Sequence, residues 1–555
     1  MLQITDPVHG SIELNSMFAR IVNTPEFQRL RSVEQGSFRP VYPGARHDRF
    51  THSLGTYHLA TRFAEHFFAN LKKDAGVTVA QEEMEKLTLT FRYAALLHDI
   101  GHAPFSHTTE DFFLEQTGKA LPLVWEELCR AAAGESAGEG KLFSARKKIC
   151  GSAHEIVSAL LLIRNKDIFL EHRDQDKIDL VLAARMVIGF TYQAGELPGL
   201  SSEQLGVRNC LIQLLNCSVL DVDRLDYMGR DTLMSGYTNA PLDLQCLARS
   251  VTAVRGADGM LTNGYRDDAL RVFDLMFQAK LSHDAWVLAA PAGAYDAALR
   301  AHCIRLLNKR ITDPARPRQT YMGTIFSVEA LSREGVDFAG KHYRLLSDVD
   351  VEADMKAQSG EPFDELYTRA LGERRIAAWR SYYEYHHLFH YPEKGLTPER
   401  VSEFFEPLLE YMDKKKLFAF DQDAFDAVCG SVDPETRGSD RAVRAAVFLR
   451  GYLDYVQSTR GSEKPIDVVL LGRSNSFTLK LNPAEICIVF PNLETGEMRL
   501  PRRSGKYSYS TYEELTGKAH RVNYKAAYFY MMCHDRLRWG DLEMFRELLA
   551  DELKK

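Results

Sequence analysis

Apolar residues recur at helical spacing through most of residues 15–250, and that periodicity predicts a run of helices joined by short loops. From Thr51 to Lys73, Leu54, Leu59, Phe63, Ala64, Phe67, Phe68 and Leu71 share one face, with Glu65 and Asn70 on the other. Glu82 to Leu97 predicts a second helix, amphipathic at first and apolar towards its end. His154 to Arg164 predicts a third, buried along Ile156, Leu160, Leu161 and Leu162, and Cys217 to Met234 a fourth, carrying Leu220, Leu225 and Met228. Between them, the glycine-rich run from Gly134 to Gly140 predicts a flexible surface loop.

Strand patterns are a minority. Ser250 to Thr262 predicts a β-hairpin turning on Gly256-Ala257-Asp258-Gly259. Ile466 to Leu500 predicts a second β-rich region, with Val468–Leu471, Phe477–Leu481 and Ile486–Phe490 as strands and Glu494–Glu497 as the turn into Met498. The expected fold is therefore mainly α. A helical core with a short β-hairpin, residues 1–340, precedes a smaller α+β C-terminal region, residues 341–555, expected to regulate or to oligomerise. The boundary falls between residues 335 and 360.

Composition narrows the class. A chain of 555 residues with 45% hydrophobic and 26% charged residues can bury a large core. A net charge of −7 argues against a general electrostatic appetite for nucleic acid, while leaving a local basic pocket open. No membrane-length apolar run or leader-like start is seen, so a cytoplasmic location and no membrane partner are expected. The nine cysteines are scattered with no Cys-x-x-Cys pair, which suits reduced thiols and leaves any metal to His and Asp.

The chemistry concentrates in His98-Asp99-Ile100-Gly101-His102, delivered at the end of an apolar helix. Burying such groups without partners costs about 2–7 kcal/mol each, and a metal ion is the simplest partner. His52, His98, Asp99 and Asp223 are the candidate ligands, a nitrogen and oxygen set suited to zinc, iron, manganese or magnesium. Taken singly, His52 also reads as a cap or core histidine and Asp223 as part of a solvated helix face.

The order His52, His98-Asp99, Asp223 resembles that of the HD-domain metal-dependent phosphohydrolases, and the likeness extends beyond the ligands. Asp6–Leu14, Thr24–Arg31, Pro43–Gly55, His98–His107 and Asp221–Asp231 are similar to segments of the dNTP triphosphohydrolase branch, its vertebrate members included. The resemblance covers roughly the first half of the chain. It implies one divalent transition metal (Fe, Mn or Zn) on His52, His98, Asp99 and Asp223, with Mg²⁺ on the substrate triphosphate. It further implies Arg49 on phosphate oxygens, and His102, His107 and His154 around the α-phosphate. His154 is the implied general acid, oriented by Glu110 where the family usually has Asp. Gln35, Arg224, Tyr227 and Asp231 would line the nucleotide. The implied reaction releases deoxynucleoside and inorganic triphosphate from a dNTP, in a homo-oligomer.

Three further features depart from the branch. Gly36 stands where vertebrate members carry a leucine that helps exclude a ribose 2′-hydroxyl, which leaves discrimination between dNTP and NTP open. Asn23 replaces an Asp that accompanies Gln28 and Arg31 in binding an activating guanine nucleotide. After Met276-Phe277 the branch's Arg and Tyr contacts are absent, with Lys280 and His283 as substitutes. Elsewhere the plain reading is preferred: His386, His387 and His390 as a helix end before a proline turn, and Lys414–Lys416 and Arg502, Arg503 and Lys506 as solvated faces. Two other functions fit the same residues. An HD-fold phosphodiesterase or nuclease would release monophosphates, and a nucleotide-sensing module would need a broken ligand set, whereas all four ligands are present.

Overall fold

A computed structural model describes residues 1–115, 120–145, 149–217, 220–236, 242–255, 259–368, 374–432, 440–461, 466–476, 486–491, 498–499, 525–534 and 536–554. Helices dominate it. The amphipathic stretch beginning at Thr51 becomes helix Arg49–Ala75, started two residues earlier because Asp48 and Thr51 form a reciprocal capping box. It stops at Gly76, which takes the left-handed conformation (φ 67°) that other residues resist. Its apolar face packs on helices Gln81–Leu97 and Val222–Ser235 and on strand Val251–Arg255. Helix Ala153–Arg164 lies against helix Leu180–Ile188, and both are almost entirely buried.

The glycine-rich run is not a loop. Helix Ala120–Glu135 and helix Ala137–Ala145 divide it at Ser136 and pack on one another. Gly140 makes this close crossing feasible, since a Cβ there would overlap Ala133. Glu139 is buried beneath the crossing and accepts from Arg185 Nε at 2.8 Å and from the Tyr192 hydroxyl at 2.7 Å.

The expected hairpin pairs Val251–Arg255 with Leu261–Arg266, Val251 opposite Tyr265; residues 256–258 of its turn lie outside the described residues. The C-terminal β-region divides between two sheets. Ile488–Pro491 runs parallel to Leu261–Arg266, with Tyr265 opposite Ile488, and so extends the hairpin. Val468–Ser476 pairs antiparallel with Lys525–Cys533 instead, from Val468 opposite Cys533 to Ser476 opposite Lys525. The expected strand Phe477–Leu481, the turn Glu494–Glu497 and the basic residues Arg502, Arg503 and Lys506 lie outside the described residues.

The two halves of the chain are tied by buried polar contacts. Glu365, fully buried, accepts from the Tyr295 hydroxyl at 2.7 Å and from the Arg375 backbone N–H at 3.0 Å, while Arg375 also pairs with Asp467. The Tyr530 hydroxyl donates to the Ala289 carbonyl at 2.8 Å. The His386 helix ends at Phe389, before a turn begun by Pro392, as its sequence predicts. Among the described residues no helix is long and apolar enough to cross a membrane.

Candidate active site

Three helices meet at one point. His52 lies in the first turn of Arg49–Ala75, His98 caps the end of Gln81–Leu97, and Asp223 lies in the first turn of Val222–Ser235 behind its N-cap Asp221. Each imidazole is held by its far nitrogen: His52 Nδ1 meets Asp226 Oδ2 at 2.7 Å, and His98 Nδ1 meets the Ala95 carbonyl at 2.9 Å. Their Nε2 atoms consequently face one another at 3.3 Å. Asp223 Oδ1 is 2.8 Å from His52 Nε2 and 3.5 Å from His98 Nε2. Asp99 closes the group, with Oδ1 3.4 Å from His98 Nε2 and Oδ2 3.7 Å from His52 Nε2. Asp223, with its side chain 38% exposed, is the most accessible of the four.

This donor set fits a divalent cation. Donor atoms of His52, His98 and Asp99 converge within 4.8 Å of one another, Asp223 Oδ1 lies beside the two Nε2 atoms, and a partner on each Nδ1 fixes the imidazole orientation as in known histidine metal sites. The charges agree. Burial opposes a proton on His52, yet hydrogen bonds to Asp223 and Asp226 push its pKa up to about 10. Burial likewise opposes ionisation of Asp99, but Arg49 and His98 hold it well below the usual carboxylate range. The cluster favours added positive charge, which a metal ion supplies.

A second set of histidines adjoins the first. His102 Nε2 is 3.3 Å from Asp99 Oδ1, and its ring stacks on His154 at 4.0 Å. Burial and the nearby Arg49 guanidinium keep His102 neutral. Glu110 joins the other two, with Oε1 2.8 Å from His154 Nδ1 and Oε2 2.8 Å from His107 Nδ1. Burial works against a charged His154, but the hydrogen bond and charge of Glu110 outweigh it and raise its pKa above the ordinary histidine value. Gly101 lets the two sets approach: its N–H donates to Ser158 Oγ at 2.8 Å, and a Cβ there would lie 2.8 Å from the His154 carbonyl.

The expected substrate residues surround this centre, several with their polar atoms already engaged. Arg49 donates to Asp99 Oδ2 at 2.8 Å, Ser106 Oγ at 2.9 Å and the Gln35 carbonyl at 3.2 Å. Gln35 is buried, and among the described residues its side-chain oxygen has no hydrogen-bond partner. Arg224 faces Asp221 at 3.5 Å and donates to the Cys217 carbonyl at 3.3 Å. Asp231 is gripped from two sides, by His47 Nε2 at 2.6 Å and His283 Nε2 at 3.1 Å. Lys280 lies 5.7 Å above the Tyr227 ring and bonds Asp284, so helix Leu270–His283 brings both substitute residues to this wall.

A Cβ on residue 36 would come within 2.7 Å of the Phe38 ring, which stacks on His47 and meets His283 edge-on. Gln28 and Arg31 bond each other at 2.9 Å, Gln28 also reaching the Val22 carbonyl and Arg31 covering the Phe50 ring.

Sequence reasoning missed the support behind His52. Asp226 is fully buried and also accepts from His9 Nε2 at 2.6 Å and from Arg230 Nε at 2.9 Å, while Arg230 continues to Asp6 at 2.7 Å. Gly55 makes room, since a Cβ there would overlap the Asp226 carboxylate. The available signal was Asp226 itself, an acid three residues after a candidate ligand and hence on the same helix face.

Residues 49–137 match the HD domain family. The deoxynucleoside triphosphate triphosphohydrolase SAMHD1 of Bos taurus is 40% identical over 129 residues, 23% of this chain and 20% of that protein. The Homo sapiens protein of that name is 41% identical over 129 residues, 23% and 18% of the two chains. An uncharacterised protein of Methanocaldococcus jannaschii is 29% identical over 253 residues, 45% of this chain and 38% of that one. The chain thus spans about a fifth of the length of the SAMHD1 proteins it matches. The chain carries an HD domain, and over that region it resembles the catalytic core of the dNTP triphosphohydrolases.

Proposed function

We infer that the protein hydrolyses deoxynucleoside triphosphates to deoxynucleoside and inorganic triphosphate, with a transition metal on His52, His98, Asp99 and Asp223 and Mg²⁺ on the substrate. The observation that carries this reading is the Glu110–His154 pair beside the converging donors of His52, His98 and Asp99, with Asp223 Oδ1 2.8 Å from His52 Nε2. A divalent metal there supplies positive charge to a phosphate oxygen and to the attacking water. The chain's own residues do the rest. His154, its Nδ1 engaged by Glu110, carries the proton that the leaving 5′-oxygen requires, and Glu110 favours its protonated form. His102 and His107 flank it to orient the α-phosphate. Arg49 fixes Asp99 while adding a guanidinium charge to the phosphate side.

Gln35 and the Tyr227, Lys280 and Asp231 wall bind the nucleoside. The Gln35 side-chain oxygen, unpartnered among the described residues, is a natural acceptor for a base or sugar donor. Phe38, filling the space beside Gly36, is the element that selects deoxyribose. The mutual bond of Gln28 and Arg31 favours a structural role for them over nucleotide activation. A homo-oligomeric, cytoplasmic protein completes the reading.

The experiment is anion-exchange product analysis with Mn²⁺ or Mg²⁺ and each of the four dNTPs and four NTPs, singly and mixed. Triphosphate and nucleoside from dNTPs are expected. Activity confined to mixtures would expose an activating site, and monophosphate products would replace this reading with that of an HD-fold phosphodiesterase.

A further inference from the structure

Phe105 and Ser106 follow directly on the turn that carries His98 to His102, and both have left-handed backbone, at φ 59° and 50°. Non-glycine residues resist that region at a cost of about 1–3 kcal/mol each, so surrounding contacts must hold them there. One contact on this turn comes from far along the chain. Asp348 opens helix Asp348–Lys356, whose cap is Ser347 in a reciprocal box with Asp350. Asp348 Oδ1 accepts the Phe105 N–H at 2.6 Å, and its Oδ2 accepts the Glu34 N–H at 2.8 Å.

From those two points a continuous line of hydrogen bonds reaches the donor set. The Ser106 hydroxyl donates to the Glu34 carbonyl and accepts from Arg49 Nε at 2.9 Å. Arg49 continues to Asp99 on one side and to the Gln35 carbonyl on the other. Buried Arg29 reinforces the same joint, donating to the carbonyls of Leu346 at 2.9 Å, His102 at 3.0 Å and Ile100 at 2.7 Å. A carboxylate is unfavourable in this place: burial, then the Glu34 carboxylate, push the pKa of Asp348 up to about 7 despite the opposing charge of Arg300. Ser347 already caps the helix, so helix formation does not require that acid.

We propose that Asp348 is a positioning residue for the active site, its two oxygens setting the spacing between the Glu34–Gln35 segment and the Phe105–His107 turn and, through Ser106 and Arg49, the orientation of Asp99. Its consequence for turnover rests on the phosphohydrolase reading; its hold on the turn does not.

The test compares Asp348→Asn with Asp350→Asn in the full chain. The first keeps the size of the side chain but leaves one acceptor for two N–H groups. The second loosens the same helix start without touching Phe105 or Glu34. Hydrogen exchange over residues 103–109 is expected to rise about tenfold in Asp348→Asn, and kcat on dNTPs to fall about tenfold or more with KM within about threefold. Asp350→Asn should move neither. Unchanged exchange in Asp348→Asn would overturn the proposal whatever the substrate proves to be. Raised exchange with unchanged kcat would overturn its catalytic half, and equal loss in both variants would reduce Asp348 to a helix-stabilising residue. Wild-type protein that releases no triphosphate from any dNTP would overturn the phosphohydrolase reading, while the exchange result still decides the role of Asp348.

Discussion

Glu110 holds His154 twice, through the ring Nδ1 at 2.8 Å and through the backbone N–H at 3.1 Å. One carboxylate therefore fixes both the place and the charge of the imidazole. A proton donor must be protonated to act, so activity falls as pH rises through the His154 pKa, which Glu110 raises. Glu110→Gln removes that charge, and the alkaline limb of kcat should move to lower pH. A limb that stays in place would show that this pair does not supply the proton.

Metal content separates ligands from the acid. Asp223→Ala and His98→Ala should lose both bound metal and turnover, whereas His154→Ala should keep metal and lose turnover. Elemental analysis of the purified variants reads this directly, and metal retained in Asp223→Ala would remove it from the ligand set.

Asp226 is predicted to matter as much as a ligand while touching no substrate. It accepts from His9, His52 and Arg230 at once. Asp226→Asn puts an amide among these donors, and metal affinity should fall about 10–100-fold in a Mn²⁺ titration. Wild-type affinity would mean that His52 is oriented by packing alone.

The sugar preference should follow Phe38. Phe38→Ala empties the space beside Gly36, and the ratio of NTP to dNTP cleavage should rise by up to about 10²-fold, the scale on which shape alone rejects a hydroxyl. An unchanged ratio would place discrimination elsewhere, with Gln35 the next residue to test.

Gly55→Ala probes the crossing of two ligand-bearing helices. Its methyl would overlap Asp226 and crowd Arg230, so unfolding stability should drop by about 1–3 kcal/mol in urea titration, with metal affinity falling alongside. Stability lost with metal affinity intact would separate the packing of this crossing from the orientation of His52.

What the sequence made legible were features whose cause is local. The helix from Asp48 to Gly76 writes its cap, its periodicity and its stop into neighbouring residues, and the His98-Asp99 pair announces itself because two polar groups end an apolar helix. The segment 134–140 misled because its glycines suggest a turn, whereas Gly140 serves the close approach of two helices. Strand Lys525–Cys533 escaped notice because its partner, Val468–Ser476, lies far from it in sequence. The same distance concealed the grip of His47 and His283 on Asp231, and the reach of Asp348 to Phe105. In each case the residue type was visible and its partner was not.

The parallel pairing of Leu261–Arg266 with Ile488–Pro491 bears on how this chain is made. Until Ile488 leaves the ribosome, the hairpin beneath it presents an unpaired edge. At ordinary rates of translation that interval is on the order of ten seconds or more. An exposed strand edge is a template for pairing with other chains. The nascent protein should therefore depend on chaperones that shield this edge, and chains stalled before residue 488 should aggregate even with the HD domain complete.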